Sequence, residues 1–205
     1  MTRRYALSLI VVLCALITAP AAAFAFDAEQ EFAQGTKAVG LSFGGGSQNN
    51  YEGHRTITGL TFANFNPRLS YFFFEPFGPS ILHGAFETGF EGWFQYYLGP
   101  KNKEAAAEGL KLAFRYHLLG LSIGRFVPYL EANGGAAHTD LKVQEIDSPF
   151  TFVVEAGAGV SYVITPGLAV NVGYRFQHIS NGHLYKKNRG FNSDSGIVGL
   201  TWYFN

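Results

Sequence analysis

The sequence predicts an all-β fold, an eight-stranded antiparallel transmembrane β-barrel, on three observations. Hydropathy alternates with a period of two through most of the chain after residue 25. Aromatic residues make up 16% of the chain and charged residues only 15%, with 25 glycines, a balance that leaves too little charge to cover a soluble surface. No stretch after the first 25 residues approaches the length of a membrane helix. Apolar surface that must meet lipid without a helix calls for a closed sheet, because open sheet edges are not tolerated in a bilayer. An even-stranded barrel of this kind belongs in a bacterial outer membrane.

Alternation defines the strands. In the stretch 169–180, Val170, Val172, Tyr174, Phe176, His178 and Ser180 share one face, opposite Asn171, Gly173, Arg175 and Gln177. Near 109–118, Leu110, Leu112, Phe114 and Tyr116 oppose Lys111, Arg115 and His117. The last strand sets Val198, Leu200, Trp202 and Phe204 against Gly199 and Thr201. Eight strands are predicted, at about 37–46, 55–74, 82–98, 108–119, 126–139, 150–164, 168–181 and 192–204. The second holds Pro67, which predicts a bulge or break there.

The polar face separates a soluble barrel from a membrane barrel. One face is nearly continuous apolar and aromatic residue, and the other mixes glycine with Glu87, Glu91, Glu131 and Glu155 beside Lys111, Arg115 and Arg175. Those charges are expected to pair across a narrow lumen, the glycines leaving them room. The longer connections, near 47–54, 99–107, 140–149 and 182–191, are predicted outside, and the shorter ones, near 76–80, 120–125 and 165–167, in the periplasm. An even strand count puts both termini on the periplasmic side. The aromatic end Trp202-Tyr203-Phe204 fits an interfacial girdle.

Residues 1–25 read as an export signal. Arg3 and Arg4 precede an apolar run from Ala6 to Ala19, and Ala23-Phe24-Ala25 offers small residues at −3 and −1. Cleavage there leaves 26–205 as a single barrel domain and removes Cys14, the only cysteine, so the remaining chain has neither a disulfide nor a thiol nucleophile. The chain's 15 Lys and Arg balance its 15 Asp and Glu. Losing Arg3 and Arg4 tips that slightly acidic, which gives no pull towards nucleic acid. The histidines His54, His83, His117 and His138 lie too far apart in sequence to suggest a metal site.

One constellation could carry chemistry. His178 and Ser180 lie two residues apart at the outer end of the seventh strand, so they share the lipid face about 7 Å apart along it. On the eighth strand Asn192 and Asp194 share the face of Val198, and a hairpin would bring one of them beside His178. That assembles hydroxyl, imidazole and orienting group in one patch. A His and a Ser at a strand end are often only solvated residues, but these two face the acyl-chain side, where a structural strand would favour Tyr, Trp or an aliphatic residue.

The segment His178-Ile179-Ser180-Asn181-Gly182, followed by Asn188-Arg189-Gly190-Phe191-Asn192-Ser193, resembles the outer-membrane lipid A 3-O-deacylases (PagL). The close match covers about 16 residues, and the eight-strand outline extends it weakly over the chain. The resemblance implies a serine esterase that removes the 3-O-linked acyl chain of lipid A in the outer leaflet, with no metal or organic cofactor. By it Ser180 is the nucleophile, His178 the general base, and Asn181 with the backbone at Gly182 the oxyanion donors. Asn192 stands where the pattern has Glu, so a full acidic charge is missing and reduced activity is expected. Asp194 is the alternative partner for His178. Lys186, Lys187 and Arg189 would receive lipid A phosphates, or form an ordinary solvated loop. The partners implied are lipopolysaccharide and the membrane, and a homodimer is compatible with this reading. Two other functions share the fold: a non-catalytic barrel serving structure, adhesion or carriage of small apolar molecules, and an outer-membrane acyltransferase.

Overall fold

A computed structural model describes residues 26–205. The expected export signal at 1–25 lies outside them. Eight antiparallel strands form a closed barrel: β1 (Lys37–Gln48), β2 (Thr61–Phe72), β3 (Ala85–Gly99), β4 (Ala105–His117), β5 (Phe126–Thr139), β6 (Phe150–Thr165), β7 (Leu168–Ser180) and β8 (Phe191–Phe204). Each strand pairs with its sequence neighbours, and β1 closes on β8 from Lys37↔Phe204 to Gln48↔Ser193. No described helix is long and apolar enough to cross a membrane. The strands do that.

The alternation read from the sequence is the orientation the barrel adopts. Phe43, Leu69, Phe90, Leu110, Val172 and Leu200 are exposed on the outer wall, as lipid-facing residues must be. Arg175, Gln177, Glu131, Glu155 and Lys111 are buried in the lumen.

The lumen is filled along its length. At the end that holds the strand termini Lys37 and Phe204, a short helix α1 (Ala28–Glu31), N-capped by the Asp27 carboxylate, leads into Phe32. Phe32 is fully buried and stacks on His117, with Phe72 and Tyr203 around it. At the opposite end, under the longer loops, a second apolar cluster, including Leu60, Trp93, Leu141, Ile146 and Phe191, seals the mouth.

Between these plugs lies a charged network. Arg175 reaches Glu131 at 2.6 Å and Glu91 at 2.7 Å, and Lys111 bridges Glu91 (2.8 Å) and Glu155 (2.7 Å). Arg115 adds Glu131 at 2.9 Å. Gly157 makes the space, since a Cβ there would meet the Arg175 and Glu131 side chains at 3.2 and 3.3 Å. Removing one member of such a buried set costs about 3–5 kcal/mol, because a partner charge is left uncompensated. Two members were not foreseen: Arg68, which reaches Glu87 at 3.3 Å, and His117, 2.7 Å from Glu87.

Two differences from the sequence reading have clear causes. β2 starts at Thr61 rather than near 55, because the segment before it crosses the barrel mouth to bond Glu145 and Gln48. Pro67 does not shift the register. The β2–β3 ladder skips Asn66 and Pro67 and resumes at Arg68↔Glu91, and a Cβ at the facing Gly92 would meet the Pro67 ring at 2.9 Å. The irregularity falls instead between Thr61 and Phe62.

Candidate active site

β7 ends at Ser180 and β8 opens at Phe191, and their register pairs His178 with Asn192 and Phe176 with Asp194. His178 and Ser180 are half-buried on the outer wall at the rim, while Ile179 between them points inward and is buried. His178 Nδ1 lies 2.7 Å from Asn192 Oδ1. Asp194 does not share this contact. It accepts hydrogen bonds from Tyr174 and, at 2.9 Å, from Asn49 Nδ2. Of the two expected partners of His178, only Asn192 reaches it.

The Ser180 hydroxyl makes no hydrogen bond among the described residues, and its backbone carbonyl accepts from Thr151 Oγ1 at 3.0 Å. Ser180 and His178 thus share a face with no bond between them, and nucleophile–base hydrogen bonds are commonly long before substrate binds. Gly190 packs against both side chains. A Cβ built on it would lie 3.3 Å from both His178 Cε1 and Ser180 Cβ. With φ at +70°, a side chain at this position would be strained as well as crowded.

The loop 181–190 is pinned from within. Asn181 is fully buried; its backbone N–H donates to Asn188 Oδ1 (2.6 Å) and its side-chain NH2 to the Lys187 carbonyl (2.8 Å). Its backbone N–H and one N–H of its side chain thus hold the loop, while the second side-chain N–H makes no hydrogen bond among the described residues. The next amide, at Gly182 (φ +60°), donates no hydrogen bond among the described residues, and a Cβ on Gly182 would lie 3.0 Å from the Phe152 ring. The basic residues of the loop divide. Lys187 pairs with Asp147 at 3.2 Å and Arg189 with Glu145 at 2.9 Å, whereas Lys186 is exposed and forms no ion pair among the described residues.

Glu145 is the residue that sequence reading missed here. It is buried under the outer loops and accepts from Gln48 Nε2 (2.9 Å), Thr58 N (2.7 Å), Thr58 Oγ1 (2.6 Å) and Arg189. Its backbone carbonyl also takes the Arg189 and Gly190 amides, at 3.0 and 3.1 Å. Burial pushes its carboxyl pKa up, but the Thr58 and Gln48 hydrogen bonds outweigh burial and hold it below the ordinary range. Among the described residues no group of three or more His, Cys, Asp or Glu converges as a metal would need.

On the outer wall near the site, an open apolar trough of about 570 Å³ runs across β4, β5 and β6. Gly134 and Ala136 floor it, between Leu110 and Leu112 on one side and Phe152 and Val154 on the other. Phe152 and Val154 pair directly with Ser180 and His178 across β6 and β7.

The lumen is filled and charged, and His178 and Ser180 lie on the outer, lipid-facing wall at the rim, so the fold and this placement define a membrane barrel whose candidate site is on its outside. Comparison with known proteins agrees with this class. Residues 74–201 match the family described as lipid A 3-O-deacylase (PagL), and the chain belongs to that family. Two solved structures share its architecture. One is the outer membrane enzyme PagL, 19% identical with a TM-score of 0.59, covering 78% of this chain and 97% of that one. The other is Neisserial surface protein A (NspA), 17% identical with a TM-score of 0.55, covering 83% and 100% respectively. At these identities the likeness is one of fold. No curated protein matches the chain.

Proposed function

We propose that this protein is an outer-membrane serine esterase that hydrolyses the 3-O-linked acyl chain of lipid A, exported by cleavage of residues 1–25. The observation that carries the reading is the His178–Asn192 hydrogen bond on the lipid side of the rim, with Ser180 one outward position beyond. Family membership supports the substrate class.

In this reading the Asn192 carbonyl holds a proton on His178 Nδ1 and leaves Nε2 as base. Ser180 Oγ attacks the ester carbonyl as Nε2 takes its proton. Negative charge develops on the carbonyl oxygen, and the Gly182 amide is the available donor for it. The tetrahedral intermediate collapses as Nε2 returns the proton to the departing sugar 3-oxygen, leaving acyl-Ser180. Water, deprotonated by the same imidazole, then releases the fatty acid and restores Ser180. The chain itself lies in the apolar trough beside Phe152. Lys186, which forms no ion pair among the described residues, is the loop cation that meets a lipid A phosphate. Every step is proton and acyl transfer, which these side chains carry without a cofactor.

A carrier passing small apolar molecules through the lumen is disfavoured by the plugs and ion network that fill it. The test expresses wild type and Ser180→Ala in a lipopolysaccharide-bearing host and compares lipid A by mass spectrometry. The esterase reading expects loss of one hydroxyacyl chain and release of free fatty acid, abolished in the variant. Identical acyl patterns would leave a non-catalytic barrel, and acyl gain would indicate a transferase.

A further inference from the structure

A neutral amide beside His178 leaves the imidazolium formed during catalysis without an anion next to it. The first outer loop brings one within reach. Glu52 Oε1 accepts a hydrogen bond from Asn192 Nδ2 at 2.7 Å, and its other oxygen lies 2.7 Å from His54 Nε2. The loop is seated on the β7–β8 hairpin. Asn49 N donates to the Asn192 carbonyl at 2.9 Å, Asn49 Nδ2 reaches Asp194, and Tyr51 stacks on Phe176. Asn50 closes the turn by bonding both the N–H and the C=O of His54, each at 2.9 Å.

The donors and acceptors in this chain can run in only one order. An ionised carboxylate accepts and never donates, so Glu52 draws the NH2 end of Asn192 towards itself. The amide carbonyl is thereby turned to His178, and since it too only accepts, Nδ1 must carry the ring proton. Nε2 is left with its lone pair for Ser180. The reversed amide would set carbonyl against carboxylate, and would give His178 the tautomer that cannot take a proton from serine. Hydrogen bonds from His54 and Asn192 keep the Glu52 carboxyl below the ordinary carboxylate range, so it is charged at neutral pH.

We propose that Glu52 is a positioning residue of the site: it fixes the orientation of the Asn192 amide, through it the base form of His178, and supplies at one remove the negative charge that Ser180, His178 and Asn192 lack. This rests on the esterase reading above. It assigns a role to a loop residue 140 positions from its partner in sequence.

The experiment is a double-mutant cycle on the full-length protein, purified in detergent micelles and assayed for acyl release from lipid A. Glu52→Gln keeps size and drops charge, and kcat falls roughly tenfold with KM within about twofold. Asn192→Glu places a carboxylate directly at His178. In that background the carboxylate at 52 repels its new neighbour, so Glu52→Gln now raises kcat. The reversal of sign is the expected result. A loop contact that only holds structure lowers activity in both backgrounds or in neither, and either outcome overturns the proposal while leaving the esterase standing. A wild type indistinguishable from Ser180→Ala overturns the esterase reading, and the role of Glu52 with it.

Discussion

His178 Nδ1 meets Asn192 Oδ1 at 2.7 Å, while Asp194, the next outward residue of the same strand, is held away by Tyr174 and Asn49. Register alone decides between them. Antiparallel pairing sets His178 opposite Asn192, and a strand advances about 7 Å for every two residues. Asp194 therefore cannot replace Asn192 without unpairing the hairpin. Asn192→Ala is expected to lower acyl release roughly 10- to 100-fold by freeing the imidazole tautomer. Asp194→Asn, which keeps shape and most hydrogen bonding, should cost less than about threefold. Steady-state kinetics on both variants check this, and the opposite ranking would transfer the partner role to Asp194.

Gly190 is the next point of leverage. Any side chain there strains a φ of +70° by about 1–2 kcal/mol, and its Cβ would sit 2.8 Å from the Ile179 carbonyl as well as against His178 and Ser180. Gly190→Ala should cut activity by roughly 100-fold, since displacing the pair by about 1 Å costs that much. Gly35 is the control. It has φ +93° with nothing within 4 Å of its Cβ, at the other end of the barrel. Gly35→Ala pays the backbone strain alone, so acyl release should stay close to wild type. Comparable losses in both variants would show that strain, not contact with the Ser-His pair, is responsible.

Glu145 makes the loop arrangement pH-dependent. Its folded-state pKa lies below the ordinary value of 4.5, so its contribution is fully present above that value and is lost as pH falls through the depressed one. Protonation weakens its hold on Thr58, Gln48 and Arg189 together. Hydrogen exchange at the amides of 182–190 should therefore quicken once pH drops below about 4.5, after correction for the intrinsic exchange rate, while strand amides stay protected. Glu145→Gln should reproduce the faster loop exchange at neutral pH. Unchanged loop protection in that variant would mean that the backbone bonds to Arg189 and Gly190 suffice on their own.

The strands and the shared outer face of His178, Ser180 and Asn192 were legible because both depend on local regularities. A period of two assigns each side chain to a face, and a hairpin fixes which residues stand opposite each other. So Val172, Arg175 and His178 could be assigned to their faces from their positions alone, while the hairpin left Asn192 and Asp194 as alternatives that only the register separates. Residues whose roles depend on loops folding back over the mouth could not. Glu52 reaches Asn192, and Glu145 gathers Gln48, Thr58 and Arg189, through contacts with no periodic signature. Arg68 was hidden for a related reason, since Pro67 beside it argued for a break where the register in fact continues. The burial of Asn181 and its two loop bonds likewise depend on where Lys187 and Asn188 fold, which strand alternation does not specify.

The trough on the outer wall offers a test of how the acyl chain is measured. Gly134 points outward, and a Cβ on it would meet nothing closer than the Val153 carbonyl at 4.0 Å. A larger side chain therefore fits without disturbing the strand, and fills the space between Leu112 and Val154. Gly134→Leu should leave the barrel folded while lowering kcat/KM for long acyl chains roughly tenfold relative to short ones, since each excluded methylene is worth about 1 kcal/mol or more. Gly135, one residue on, faces the other way, and its Cβ would fall 2.1 Å from the Leu110 carbonyl. Gly135→Ala should accordingly impair folding, seen as loss of the compact heat-modifiable band on gels. Lipid A species differing only in 3-O-chain length provide the readout for Gly134→Leu. If their relative rates do not change, the chain does not lie across β5, and chain length is set elsewhere on the wall.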